Sequence, residues 1–174
     1  TGSVGKTTTK DMVAAVLGEK FKVLKTEGNF NNEVGLPLTL LRLNRQHELC
    51  VLEMGMNHFG EIEYLSEIVE PDVALITNVG DSHIENLGSR EGIFRAKCEI
   101  FSHMKRSGTV ILNGDDEWLT TLKGQLPFPT VFVGQGEGLD YRATQVDSDG
   151  ETHLNCQVTT PRQSFSVCIP ALGA

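Results

Sequence analysis

No run of eighteen apolar residues occurs in the 174-residue chain, and no charged-then-apolar leader stands at its start. The sequence therefore predicts neither a membrane span nor a signal peptide. Basic residues are in the minority, 15 Lys and Arg against 23 Asp and Glu, which gives a net charge of −8 with no basic cluster. That balance argues against a nucleic-acid surface and confines any phosphate binding to a local site. The four cysteines, Cys50, Cys98, Cys156 and Cys168, show no C-x-x-C spacing. Buried free thiols in a reducing, cytoplasmic compartment are expected, rather than a zinc site or a disulfide framework. No internal repeat, low-complexity tract or linker is evident, and the length suits one domain with a sizeable core.

What the chain does have stands at its beginning, in Thr1-Gly2-Ser3-Val4-Gly5-Lys6-Thr7-Thr8-Thr9. Gly2 and Gly5 allow the backbone to curl into a nest of N–H donors, to which Ser3 and Val4 contribute. Lys6 can reach the β- and γ-phosphates of a nucleotide, and the hydroxyl of Thr7 or Thr8 can bind Mg²⁺. The helix that follows adds its positive end. The full pattern, G-x-x-x-x-G-K-[ST], starts one residue before Thr1, so the chain is expected to be a middle piece of a longer protein.

Apolar residues at Met12, Val13, Val16, Leu17 and Phe21 recur at helical spacing. Strands are expected at 23–26, 49–52, 73–76, 109–112 and 131–133. Helices are expected at 35–43, 61–69, 91–104 and 115–122, with Pro71 closing the second of these. The alternation predicts an α/β fold: a P-loop-type, mostly parallel open sheet with helices on both faces. From Tyr141 polar and apolar residues alternate, and turn signals stand at Asp149-Gly150 and Thr160-Pro161-Arg162-Gln163, which predicts two or three antiparallel strands as a C-terminal appendage.

Open α/β sheets bind ligands beyond the carboxyl ends of their strands. Five polar groups fall there: the phosphate loop, Asn29 to Asn32, Glu53, the loop bearing Asn78 and His83, and Asn113. Glu53 follows four apolar residues, so it is either a strand-end carboxylate facing water or a partly buried one that needs a metal ion. His83 is either a hydrogen-bonded loop histidine or a metal ligand. Lys97 falls in the middle of the stripe formed by Ile93, Phe94, Ile100, Phe101 and Met104. There an ammonium must snorkel to the rim, find a partner or lose its charge.

Four blocks carry a resemblance: Thr1 to Thr9, Gly28-Asn-Phe-Asn-Asn-Glu-Val-Gly-Leu-Pro-Leu-Thr-Leu-Leu41, Glu53-Met-Gly-Met-Asn-His-Phe-Gly-Glu-Ile62 and Ala96-Lys-Cys-Glu-Ile100. In order and separation they resemble the central ATP-binding domain of the Mur ligase family. The resemblance implies a three-domain enzyme, with this domain between one that grips a UDP-sugar and one that completes the amine site. It implies ATP-dependent amide bond formation between a UDP-N-acetylmuramoyl tripeptide and D-alanyl-D-alanine by a monomeric cytoplasmic enzyme. Lys6, the loop amides and Asn113 would hold ATP, Thr7 and Glu53 one Mg²⁺, and His83 and Lys97 a second. Lys97 would carry CO₂ as a carbamate, and Asn31 and Asn32 would contact substrate. Ser82 departs from the family, several of whose members have an acid before the histidine.

A P-loop switch ATPase is the rival class. Partition-type ATPases carry a lysine at the position of Thr1, and GTPases carry Asn-Lys-x-Asp where the nearest string here is Asn78-Val79-Gly80-Asp81. A catalytically silent binding domain would not need Glu53, His83 and Lys97 together.

Overall fold

The computed structural model describes residues 1–148 and 153–170. Helix α1 (Lys6–Gly18) leaves the phosphate loop through Gly5, whose φ of 79° is left-handed. It packs on two short parallel strands, β1 (Val23–Lys25) and β2 (Leu49–Val51), joined through α2 (Gly35–Leu40). The order then runs α3 (Glu61–Val69), β3 (Val73–Ile76), α4 (Ile84–Leu87), α5 (Arg90–Cys98), a 3₁₀ turn at Glu99–Phe101, β4 (Thr109–Asn113), α6 (Glu117–Thr120) and β5 (Thr130–Gly134).

The described strands form two ladders where the sequence predicts one open sheet. The first is β1 with β2, and the second has the order β3-β4-β5-β6-β7-β8. Strands β3 to β6 run parallel, and β6 (Tyr141–Ser148), β7 (Leu154–Thr159) and β8 (Ser164–Ile169) continue antiparallel. The predicted appendage is thus an extension of the main sheet, attached through the pairs Val133↔Tyr141 and Gly134↔Arg142. The turn at Thr160 is present: its hydroxyl accepts from the N–H groups of Arg162 and Gln163. The turn predicted at Asp149-Gly150 lies outside the described residues.

Several boundaries differ from the sequence expectation for local reasons. The helix predicted through Met104 tightens after Cys98, where the hydroxyl of Ser66 on α3 takes the carbonyl of Ile100 at 2.8 Å. Helix α2 gives way after Leu40 to turns closed by Arg42 N–H on Thr39 and Leu43 N–H on Leu40. The single turn α4 lies inside the predicted 78–89 loop, too short to show a helical period. Where the sequence suggests buried thiols, only Cys156 is buried; Cys50 and Cys168 are exposed and Cys98 is half-buried, all free. Among the described residues no helix is long and apolar enough to cross a membrane.

The core gathers Leu36, Met54, Ile62, Leu65, Ile76, Ile93, Val110, Leu112 and Leu119 among its buried residues, so α2, α3, α5 and α6 close on β3 and β4. Ser and Asp side chains cap two of the helices that close on β3 and β4. Ser89 accepts from Gly92 N–H at the start of α5, and Asp116 accepts from the N–H groups of Trp118 and Leu119 at the start of α6. The other carboxylate oxygen of Asp116 takes the N–H of Val79, which ties the loop after β3 to α6.

Candidate nucleotide site

The phosphate loop is fastened to the end of β3. Thr1 nitrogen donates to Leu75 and its carbonyl accepts from Thr77, and Ser3 N–H donates to Asn78 carbonyl at 3.1 Å. Val4 is held on both sides: its N–H donates to Asn78 Oδ1 at 2.9 Å, and its carbonyl accepts from Thr77 Oγ1 and Asn78 Nδ2. Gly80 N–H donates to Ser3 Oγ, and Ser82 Oγ reaches the Ser3 carbonyl at 3.5 Å. Ser82, the departure from the family pattern, therefore braces the loop.

Gly2 has φ 151°, and a Cβ there would run into the Thr77 side chain whose hydroxyl holds Val4. Gly2→Ala should weaken nucleotide binding by about tenfold or more, as roughly 1–3 kcal/mol of backbone strain implies. Calorimetric titration with ADP measures this, and an unaltered affinity would show that the loop tolerates another path.

Glu53 stands just past β2, and its side chain is 4% exposed. Its Oε2 accepts from Thr7 Oγ1 at 2.8 Å and its Oε1 from Asn31 Nδ2 at 2.7 Å, while its N–H donates to Thr26 Oγ1 at 3.0 Å. A buried carboxylate and a hydroxyl from the first turn of α1 thus face one another, two hard oxygen donors beside the phosphate loop.

Lys97 does not snorkel to the surface. It is 1% exposed among Ile93, Ala96 and Ile100, yet its ammonium reaches the wall of a cavity of about 250 Å³. Among the described residues no hydrogen bond or ion pair reaches its Nζ. Burial, and then the charge of Lys6, push its pKa down to about 8. At pH 7 about a tenth of Lys97 is therefore the free amine, far more than an ordinary lysine offers, and near pH 8 about half.

The same cavity is lined by Gly2, Lys6, Asn31, Asn32 and His83. His83 starts α4 with φ 68°, a left-handed conformation that costs a non-glycine residue about 1–2 kcal/mol. Its backbone carbonyl accepts from Asn86 and Leu87, and the residue borders the cavity. Asn32 also caps α2, its Oδ1 accepting from Gly35 N–H at 2.8 Å. Lys6, Asn31, Asn32, His83 and Lys97 are therefore brought together, with Thr7 and Glu53 adjoining through Asn31.

Other candidates fall outside the cavity wall. Asn113 is the last residue of β4, and its amide donates to Thr77 carbonyl while its Oδ1 accepts from Asp115 N–H, so it braces the β3 end. Thr8 is exposed with no described side-chain partner. Sequence reasoning missed Asn57 and Glu61, which line the cavity; Glu61 accepts from Asn57 N–H at 2.7 Å and contacts the His58 ring at 3.1 Å. It also missed Lys10, whose buried ammonium donates to the carbonyl of Thr26 at 2.9 Å. The visible signal for Lys10 was its position four residues after Lys6. A larger cavity of about 300 Å³ lies between Lys123, Leu126, Phe128 and Asp140. No phosphate-loop residue borders it, and its carboxylate, on Asp140, is taken by Phe132 N–H. The smaller cavity is the one with chemistry in its wall.

A glycine loop docked on a parallel strand, emptying into a helix that starts with lysine, defines a P-loop α/β nucleotide-binding domain. The whole chain, residues 1–174, matches the family described as Mur ligase middle domain, and the chain belongs to the Mur ligase family. It is similar to UDP-N-acetylmuramoyl-tripeptide–D-alanyl-D-alanine ligase of Bacillus subtilis, 49% identical over 155 residues that cover 88% of this chain and 33% of that protein. A crystal structure of MurF from Acinetobacter baumannii matches with a TM-score of 0.92 at 39% identity, over 99% of this chain and 38% of the other. MurF from Thermotoga maritima, in a structure described as a complex with ADP, matches with a TM-score of 0.84 at 36% identity over 96% of this chain and 38% of that one. The chain spans about a third of the length of the Bacillus relative. Mur ligases use ATP and Mg²⁺.

Proposed function

We propose that this chain is the central domain of a three-domain, monomeric cytoplasmic ligase that joins D-alanyl-D-alanine to a UDP-N-acetylmuramoyl tripeptide in peptidoglycan precursor synthesis. The observation that carries the reading is the cavity where Lys6, His83 and the buried Lys97 meet, next to the Thr7–Glu53 pair. In this reading the tripeptide carboxylate attacks the γ-phosphorus of ATP, releasing ADP and leaving an acyl phosphate. The amine of the dipeptide then attacks the acyl carbon, and phosphate departs.

Lys6 and the backbone N–H groups of the loop hold the β- and γ-phosphates and offset the charge that builds on the transferring group. Thr7 and Glu53 are suited to one Mg²⁺, and His83 and Lys97 to a second. Among the described residues no group of three or more His, Cys, Asp or Glu side chains is placed to hold a metal. That fits Mg²⁺, which takes one or two protein oxygens and completes its shell with phosphate and water. When bound, Mg²⁺ would supply positive charge against the triphosphate and the acyl phosphate.

Lys97 fits the second position as a carbamate. Its unprotonated Nζ adds to the carbon of CO₂ and a proton leaves, so a buried cation becomes an anion with two oxygens. Burial among apolar side chains, which lowers the pKa to about 8, supplies the free amine that this addition needs.

The test is phosphate release by the full-length enzyme with ATP, the UDP-muramoyl tripeptide and D-alanyl-D-alanine supplied together or one short. Release is expected only with all three. ATP turnover indifferent to the other two would sink the ligase reading and favour a switch ATPase.

A further inference from the structure

We propose that Lys10 is a positioning residue for the metal site: acting through Thr26, it fixes the backbone of Glu53 and so aims that carboxylate at the phosphate loop. The proposal rests on the assignment of Glu53 and Thr7 to a Mg²⁺ ion made above. Lys10 is 6% exposed on α1, and no residue of the candidate cavity's wall is Lys10. A buried ammonium on a helix that packs against strands costs more than an apolar side chain would, so its partner is informative. That partner is the Thr26 carbonyl at 2.9 Å. The nearby Asp11 lies 3.3 Å from Lys10 Nζ but is close to half exposed and also bridges Lys25 at 2.6 Å.

Thr26 is fully buried and makes three bonds of different kinds. Its N–H donates to Val51 carbonyl at 3.1 Å, its carbonyl accepts from Lys10, and its hydroxyl accepts from Glu53 N–H at 3.0 Å. Strands β1 and β2 end at Lys25 and Val51, so Glu53 lies beyond the ladder and its N–H is held by a side chain. Thr7 and Lys10 are three residues apart on α1, hence on neighbouring positions of one face. Thr7 grips the carboxylate of Glu53, and Lys10 grips the residue that holds its backbone. The result is a closed ring, Thr7–Glu53–Thr26–Lys10, of which only the Thr7–Glu53 edge faces the proposed ion.

Loss of a partner in the shell behind a metal ligand typically weakens metal affinity about 10- to 100-fold. In the full-length protein with ADP, Mn²⁺ binding followed by electron paramagnetic resonance reads this without catalysis. Lys10→Met and Thr26→Val are each expected to raise the Mn²⁺ dissociation constant about tenfold or more. The double variant should lose little beyond either single one, because both cut the same ring. Lys10→Arg, which keeps charge and donors, should return affinity to within about threefold of wild type. In steady state, the Mg²⁺ concentration for half-maximal phosphate release should rise while kcat at saturating Mg²⁺ changes less. Unchanged Mn²⁺ affinity in Lys10→Met overturns the proposal whatever Thr26→Val does, as does a double variant whose losses multiply. If Lys10→Met does not fold, Lys10→Gln, which removes the charge but keeps a polar end, takes its place with the same expected rise, because Thr26→Val alone cuts only the edge from the Thr26 hydroxyl to Glu53. Wild-type protein that releases no substrate-dependent phosphate would defeat the ligase reading, while the Mn²⁺ comparison would still decide the role of Lys10.

Discussion

Lys97→Met is expected to lower substrate-dependent phosphate release by about a thousandfold or more and, at the same time, to raise the melting temperature. Both effects follow from one arrangement. Lys97 is 1% exposed in an apolar stripe, with its pKa pushed from 10.5 to about 8 by burial and by Lys6. A depression of that size corresponds to about 3 kcal/mol of disfavoured charge as an upper bound, at about 1.4 kcal/mol per pKa unit. Methionine keeps the unbranched stem and removes the charge, so packing survives and the penalty goes.

The pH dependence has a definite sign. The folded protein releases the Lys97 proton near pH 8, whereas the unfolded chain holds it until about 10.5. Below pH 8 the folded state carries the full cost. Between about 8 and 10.5 the unfolded chain binds more protons, so stability from this group rises with pH across that window. In CO₂-stripped buffer the variant should therefore melt several degrees above wild type at pH 7, and the gap should narrow toward pH 10. Bicarbonate should restore activity to stripped wild type and leave Lys97→Met unaffected. A variant that melts lower at pH 7 would remove the burial argument, and one with near-normal activity would remove the carbamate.

Glu53→Gln should reduce kcat about 100- to 1,000-fold with a stability cost of no more than about 1–3 kcal/mol. The carboxylate oxygens receive hydrogen bonds from Thr7 Oγ1 and Asn31 Nδ2. An amide of the same shape offers one acceptor and one donor, and the Thr7 hydroxyl can rotate or the Asn31 amide can flip to meet it. The network is thus retained while the charge is lost. Activity within about threefold of wild type would mean that a neutral oxygen suffices there, and Glu53 would be a strut of the loop rather than a metal ligand.

Strands β2, β3 and β4 were legible because each is a short apolar run closed by a polar residue, as at Val73–Ile76 followed by Thr77. Their division into two ladders was not, since pairing depends on which backbone edges meet and leaves no local mark. The phosphate loop and the anomaly of Lys97 were legible from spacing alone. Where its ammonium points was not: helical periodicity places a residue on a face without showing that a cavity opens at its end. Asn113 shows the converse limit. A strand-end asparagine in the sequence suits a ligand contact, yet its two amide atoms are taken by Thr77 and Asp115. Lys10 and Thr26 escaped notice because their importance is relational, and no feature of either residue by itself links it to Glu53.

The bonds that Thr77, Asn78 and Gly80 make to Ser3 and Val4 have a thermodynamic consequence. Loops that order only when a nucleotide arrives lose conformational entropy at each binding event, and affinity falls accordingly. Here the curvature of the loop is imposed by neighbours in the segment just after β3 that never need to touch a phosphate. The disorder is given up once, when the chain folds, and every nucleotide that enters afterwards meets a cradle already made.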